Sequence, residues 1–166
     1  MKVNKTLNMT MLCDFYELTM GNGYFVSGMK DQICYFDVFY RNVPDNGGFA
    51  IAAGLEQVVE YIQDLHFSAE DIAYLRGRKL FDEGFLKYLE GFRFTGDIFA
   101  VPEGTPIFPK EPILTVRAPA IEAQLVETYI LLILNHQSLI ATKANRVVRA
   151  AQGRTVLEFG SRRAQG

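Results

Sequence analysis

Two stretches of this chain carry residue types that can do chemistry. The first is Thr155-Val-Leu-Glu-Phe-Gly-Ser-Arg-Arg-Ala-Gln-Gly166. Val156, Leu157 and Phe159 read as a strand, and Gly153–Arg154 before them reads as a turn. Gly160 ends that strand, and the guanidinium groups of Arg162 and Arg163 follow. An aromatic ring and two guanidinium forks at the carboxyl end of a strand suit a flat, anionic ligand. That end of the strand is where α/β barrels and doubly wound sheets hold their ligands. The same arginine pair also fits a solvated surface turn. The second stretch is Cys13-Asp-Phe-Tyr-Glu-Leu-Thr-Met20, which offers the Asp14 carboxylate and the Tyr16 ring. Those two lie roughly 200° apart around a helix and share a face only in a frayed first turn. Tyr16 also fits a core position with its hydroxyl satisfied.

Composition narrows the classes. The chain has 166 residues, 49% hydrophobic and 22% charged, which is ordinary for a globular protein and enough for one good core. A net charge of −2 argues against a general binder of nucleic acid or of membrane surfaces. Two cysteines, Cys13 and Cys34, form no disulfide framework and read as reduced core residues of a cytoplasmic protein. His66 and His136 are isolated from the cysteines and from each other, so no metal spacing is present. The longest apolar run, Tyr129 to Leu134, is too short to span a bilayer.

The elements that must position these residues follow from periodicity. Thr10 to Val26 reads as a helix, and Gln32 to Tyr40 as a strand with two apolar faces, both expected to be covered. Asp37 in that strand is expected to pair with a cation. Arg41 after it fits a phosphate contact or an ordinary strand end. Phe49 to Ala53 reads as a short strand. Gly54 opens a helix with Leu55, Val58, Val59, Ile62 and Leu65 on one stripe. Ser68 and Asp82 mark two more helix starts. Phe92 to Val101 and Ile113 to Arg117 read as strands. Pro119 to Ala151 reads as a long helix, deeply buried at Ile130 to Leu134, with a break at Asn135–His136. His136 reads as a hydrogen-bonded core residue. Lys143, Arg146 and Arg149 read as a solvated face. The result is an α+β domain over residues 1–118, then a buried helix and one strand over residues 119–166.

Several segments together resemble one family. Glu158-Phe-Gly-Ser-Arg-Arg-Ala-Gln-Gly166 resembles the Glu-(Phe/Met)-Gly-Leu-Arg-Arg-Ala-Gln-Gly segment of nicotinate phosphoribosyltransferases. Cys13-Asp-Phe-Tyr-Glu-Leu-Thr-Met20 resembles their Thr-Asp-Phe-Tyr-Glu-Leu-Thr-Met segment. Pro102-Glu-Gly-Thr-Pro106, Glu111-Pro-Ile-Leu114, Ile121-Glu-Ala-Gln-Leu-Val-Glu-Thr128 and Leu139-Ile-Ala-Thr-Lys-Ala144 match in family order. Cys13 and Ser161 depart from the pattern, and neither removes a charged or aromatic group. The resemblance implies a mixed α+β N-terminal domain, then the opening helix and first strand of an irregular, TIM-like α/β barrel. Thr155 to Phe159 would be that strand, with most of the barrel beyond Gly166 in a longer chain.

The resemblance also implies a reaction. Nicotinate and phosphoribosyl pyrophosphate give nicotinate mononucleotide and pyrophosphate, coupled to ATP hydrolysis through a phosphohistidine, with Mg²⁺ on the pyrophosphate. The phosphohistidine lies in the later barrel, so neither His66 nor His136 inherits that role. The site would be shared across a homodimer: Phe159 lines one face of the pyridine, and Tyr16 of the neighbouring subunit covers the other. Asp14 would be the catalytic acidic group near the ring. Arg162 would meet the carboxylate or phosphate, with Arg163 beside it as a second candidate. Two other readings stay open: a sister enzyme using nicotinamide or quinolinate, and a non-catalytic assembly module. Residues 1–166 alone are expected to make no detectable nicotinate mononucleotide, and turnover by the purified 166-residue chain would overturn that.

Overall fold

The computed structural model describes residues 8–164. In chain order its elements are α1 (Phe15–Val26), β1 (Ile33–Phe39), β2 (Ala50–Ile51), α2 (Leu55–Asp64), α3 (Ala69–Gly77) and α4 (Glu83–Glu90). Then come β3 (Asp97–Ala100), β4 (Pro106–Ile107), β5 (Pro112–Pro119), α5 (Ala120–Leu125) and α6 (Glu127–Ala151). Short 3₁₀ turns occupy Pro44–Asn46 and Ser161–Arg163. β1, β5 and β3 form an antiparallel sheet in the order β1-β5-β3, and β2 pairs with β4.

Register decides which sheet face is core. Phe36, Val116 and Ile98 align across the sheet, as do Val38, Leu114 and Ala100. Leu114 and Val116 are buried in the main cluster with Phe85, Leu89 and Ile121. The other face carries Tyr35, Arg117 and Asp97 in one row, and Asp37, Thr115 and Phe99 in the next. There Arg117 donates to Tyr35 Oη at 3.0 Å and to Asp97 at 2.8 Å, while Thr115 Oγ1 donates to Asp37 at 2.6 Å.

Helix starts follow the expected signals. Ser68 closes a capping box with Asp71 at the start of α3. Asp82 Oδ1 accepts from Gly84 N at 2.8 Å at the start of α4. Gly54 enters α2 at φ 104°, and a Cβ there would lie 3.2 Å from the Ile133 carbonyl oxygen, so both backbone and packing require glycine.

Carboxylates from distant segments tie the pieces together. Glu17, buried in the first turn of α1, accepts from Thr128 N at 3.0 Å and from Thr128 Oγ1 at 2.6 Å. Thr128 Oγ1 in turn accepts from Asp14 N at 3.1 Å. The first N–H groups of α6 have no partner inside their own helix, and Glu17 supplies one. Glu103 does the same for α2, accepting from Gly54 N at 2.6 Å and Leu55 N at 2.7 Å. The buried Glu122 accepts from Thr95 Oγ1 at 3.0 Å and from Thr95 N. Along α6, Ser138 and Thr142 bind the Ala53 and Ile51 amides at 3.1 and 2.9 Å.

Several sequence expectations are corrected. The helix expected from Thr10 begins at Phe15, because Asp14 is extended (φ −67°, ψ 140°) and serves as its N-cap. The strand expected over Phe92 to Val101 is β3 alone, since Phe92 is spent on the core beside Phe67. β1 is not covered on both faces: it pairs only with β5, and Tyr35 is 64% exposed. Asp37 meets Thr115 rather than a cation. In α6, Ile130 and Leu134 are buried but Leu131 and Leu132 are exposed, since only one side of the helix has cover. The break falls at Val126, and Asn135–His136 lies inside an unbroken helix. Arg146 is not simply solvated, since it bonds Asp45 at 3.0 Å and the Pro44 carbonyl at 2.8 Å. Residues 155–159 form no strand, because no neighbouring strand among the described residues offers them a ladder.

Glu17 gives this fold a pH dependence. Burial pushes its carboxyl up to about 7, with the Thr128 hydrogen bonds opposing and the Glu127 and Asp14 carboxylates adding to the rise. An unfolded glutamate titrates near ~4.3, so the folded state holds this proton more tightly. That contribution is fully present below the unfolded value and is lost as pH rises through about 7. It amounts to at most about 4 kcal/mol. Unfolding midpoints followed across this window should fall with rising pH for the wild type and change less for Glu17→Gln. Parallel curves for the two proteins would contradict the assignment.

Candidate functional site

Asp14 and Tyr16 stand at the amino end of α1, where Glu17 locks that helix to the start of α6. As N-cap, Asp14 lies outside the helical repeat, which removes the 200° conflict that ideal helical spacing implies. Its carboxylate makes no capping hydrogen bond. Tyr16 is 43% exposed, so it is not a core residue. Its hydroxyl donates to Glu127 Oε1 at 2.9 Å. Partial burial and that hydrogen bond, with the surrounding carboxylates, push the phenol up to about 12, so it stays a neutral donor.

Glu127 is the first residue of α6, and its other oxygen accepts from the Nε2 of buried Gln124 at 2.8 Å. Gln124 and Glu127 also line a cleft of about 340 Å³, together with Tyr35, Phe36 and Asp37 of β1. A second cleft, about 570 Å³, places Arg41 and Asn42 beside Leu131, Leu132 and Asn135 of α6. Arg41 is exposed there.

The other expected site residues are not brought to this corner. Phe159 is 83% exposed. Arg162 and Arg163 lie exposed in the 3₁₀ turn at Ser161–Arg163. No hydrogen bond, ion pair or ring contact among the described residues joins these three side chains to Asp14 or Tyr16. Sequence reasoning missed Glu17, Gln124, Glu127 and Thr128 as site neighbours. The Tyr16–Glu127 and Glu17–Thr128 contacts each span 111 positions, so no local spacing reveals them. The one available signal was that both matched segments are rich in polar groups otherwise uncommon in core helices.

Burial and the nearby Glu17 and Asp14 carboxylates push the Cys13 thiol up to about 12, which makes it a poor nucleophile. His66 has its Nδ1 within 2.5 Å of the Asp64 carbonyl oxygen. Among the described residues no group of three or more His, Cys, Asp or Glu side chains is arranged to hold a metal ion. No helix among them is long and apolar enough to cross a membrane.

Comparison with known proteins adds kinship. Residues 11–135 match the model of the nicotinate phosphoribosyltransferase (NAPRTase) N-terminal domain. A nicotinate phosphoribosyltransferase of Mycobacterium tuberculosis, pncB2, is 47% identical over 156 residues, covering 94% of this chain and 34% of that protein. Human nicotinic acid phosphoribosyltransferase superposes with a TM-score of 0.85 at 34% identity, over 92% of this chain and 31% of the human one. Nicotinate-nucleotide pyrophosphorylase from Pyrococcus furiosus shares the fold, with a TM-score of 0.74 at 22% identity over 99% of this chain and 35% of that one. The chain thus spans about a third of the length of the curated relatives it matches. On the matched domain and these identities, the chain belongs to the nicotinate phosphoribosyltransferase family.

Proposed function

We propose that the complete protein is a cytoplasmic nicotinate phosphoribosyltransferase working in NAD salvage, and that residues 8–164 supply part of its site. One observation carries this: an exposed aromatic, Tyr16, stands beside an uncapped carboxylate, Asp14, in a chain 47% identical to such an enzyme over 94% of its length. The ring nitrogen of nicotinate attacks C1′ of phosphoribosyl pyrophosphate, the C1′–O bond breaks, and pyrophosphate leaves.

Each residue has a physical task in that reaction. Tyr16 covers one face of the pyridine in the partner's site, and Phe159 lines the other; stacking of this kind adds roughly 0.5–1.5 kcal/mol beyond burial. Arg162, with Arg163 next to it, meets the carboxylate or the sugar phosphate, which needs a charge-assisted partner when removed from water. Asp14 places negative charge near the developing positive charge at C1′. This division assumes a barrel whose first helix begins near residue 119 and whose first strand is Thr155 to Phe159, completed by strands from elsewhere in the protein. Mg²⁺ would neutralise the leaving pyrophosphate and ATP would drive the equilibrium. Among the described residues no group of His, Cys, Asp or Glu side chains forms a cradle for that metal.

Two experiments on the complete enzyme test the proposal. Tyr16→Ala should raise the nicotinate KM with little change in Tm, costing roughly 2–3 kcal/mol, or about 30- to 150-fold in kcat/KM. Arg162→Ala should cost about 2–4 kcal/mol, Arg162→Lys less, and Arg163→Ala less than Arg162→Ala. Equal small losses at Arg162 and Arg163 would make the pair a solvated turn. The second experiment is subunit mixing. Assayed at nicotinate well below KM, Tyr16→Ala and Arg162→Ala subunits, each nearly inactive alone there, should regain about a quarter of wild-type activity when mixed equally, because half the dimers then carry one intact site. No recovery on confirmed subunit exchange would rule out a shared site.

A further inference from the structure

We propose that Glu127 is a positioning residue, which holds the Tyr16 ring at the angle needed to stack on the substrate's pyridine. This rests on the stacking role of Tyr16 given above. An exposed tyrosine at a helix start is free to rotate about two side-chain bonds, and a ring that wanders stacks poorly. Here the ring is pinned at its far end: Tyr16 Oη donates to Glu127 Oε1 at 2.9 Å. The pin is itself fixed, because Glu127 Oε2 accepts from Gln124 Nε2 at 2.8 Å and Gln124 is only 4% exposed. Both carboxylate oxygens are thereby occupied. Glu127 also sits at the amino end of α6, where the helix dipole favours its negative charge.

The arrangement has an electronic consequence as well. A phenol donating to a carboxylate has a more electron-rich ring, and the pyridine of nicotinate is electron-poor, so their faces attract more strongly. Glu127 touches neither reactant in this account and acts through Tyr16 alone.

The test is steady-state kinetics on the complete enzyme with Tyr16→Phe, Glu127→Ala, Glu127→Gln, their double variant Tyr16→Phe/Glu127→Ala, and Tyr16→Ala. Tyr16→Phe and Glu127→Ala should each raise the nicotinate KM roughly 3- to 30-fold, with little change in the phosphoribosyl pyrophosphate KM. Glu127→Gln keeps an acceptor oxygen and should recover most of the loss. The double variant should be no worse than the poorer single one, because both remove the same contact. Multiplying losses in the double variant would overturn the inference, and so would Glu127→Ala raising both KM values while lowering Tm. If Tyr16→Ala impairs nicotinate binding but Tyr16→Phe does not, the inference fails and stacking by Tyr16 stands. If Tyr16→Ala changes nothing, both fail together.

Discussion

The structure depends on one buried carboxylate joining two helix starts. Glu17 comes from the first turn of α1 and accepts from both the backbone and the hydroxyl of Thr128 in the first turn of α6. Without it, an N–H of a 25-residue helix would lack its partner. Glu17 Oε2 is buried with no hydrogen bond, and burial is the main cause of the raised carboxyl pKa. What the buried carboxylate secures is geometry: Asp14 and Tyr16 stand at the end of α1, and Glu127 stands next to Thr128. All are placed by the same join.

The same device recurs where local sequence cannot hold the chain. β2 and β4 are two residues each, too short to be stable alone. Thr142 on α6 holds β2, and Ser138 on α6 and the Glu103 carboxylate hold Ala53 and Gly54 just after it. Arg146 extends that row onto the Pro44–Asn46 turn, and the Arg149 guanidinium lies 5.8 Å from the centre of the Phe49 ring. α6 is thus a spine whose polar stripe, spaced by four residues, grips the segment from Pro44 to Ala53.

Local signals were legible in the sequence. Capping at Ser68 and Asp82, the glycine entry at Gly54 and the position of β5 all follow from short-range rules, whereas in α2 the expected core residue Val59 is exposed and Tyr61 is buried instead. Failures came where tertiary context decided. Ile130 to Leu134 looks apolar on every side, yet only one side has cover. The β1 pattern suggests two covered faces, yet the strand lies at a sheet edge. Residues 155–159 carry strand formers, but a strand needs a partner. For the site, residue types at Asp14 and Tyr16 were visible, while Glu127 and Gln124 were not, because their roles exist only after α1 meets α6. Family resemblance carried the reading of the reaction further than periodicity did.

The candidate site is therefore in two parts. One part, the Asp14–Tyr16 corner with its Glu127 anchor, is held by hydrogen bonds between the starts of α1 and α6. The other, Phe159 with Arg162 and Arg163, lies in a terminal segment that is exposed along its length. In the proposed dimer, residues assigned to one ligand would come from two subunits and would not meet within one. A crystal structure of the complete enzyme with nicotinate tests this most directly. The account predicts the Tyr16 ring stacked on the pyridine in the partner's site, its hydroxyl still donating to Glu127, with Phe159 on the opposite face. A pyridine bound with no Tyr16 from either subunit against it would contradict the account.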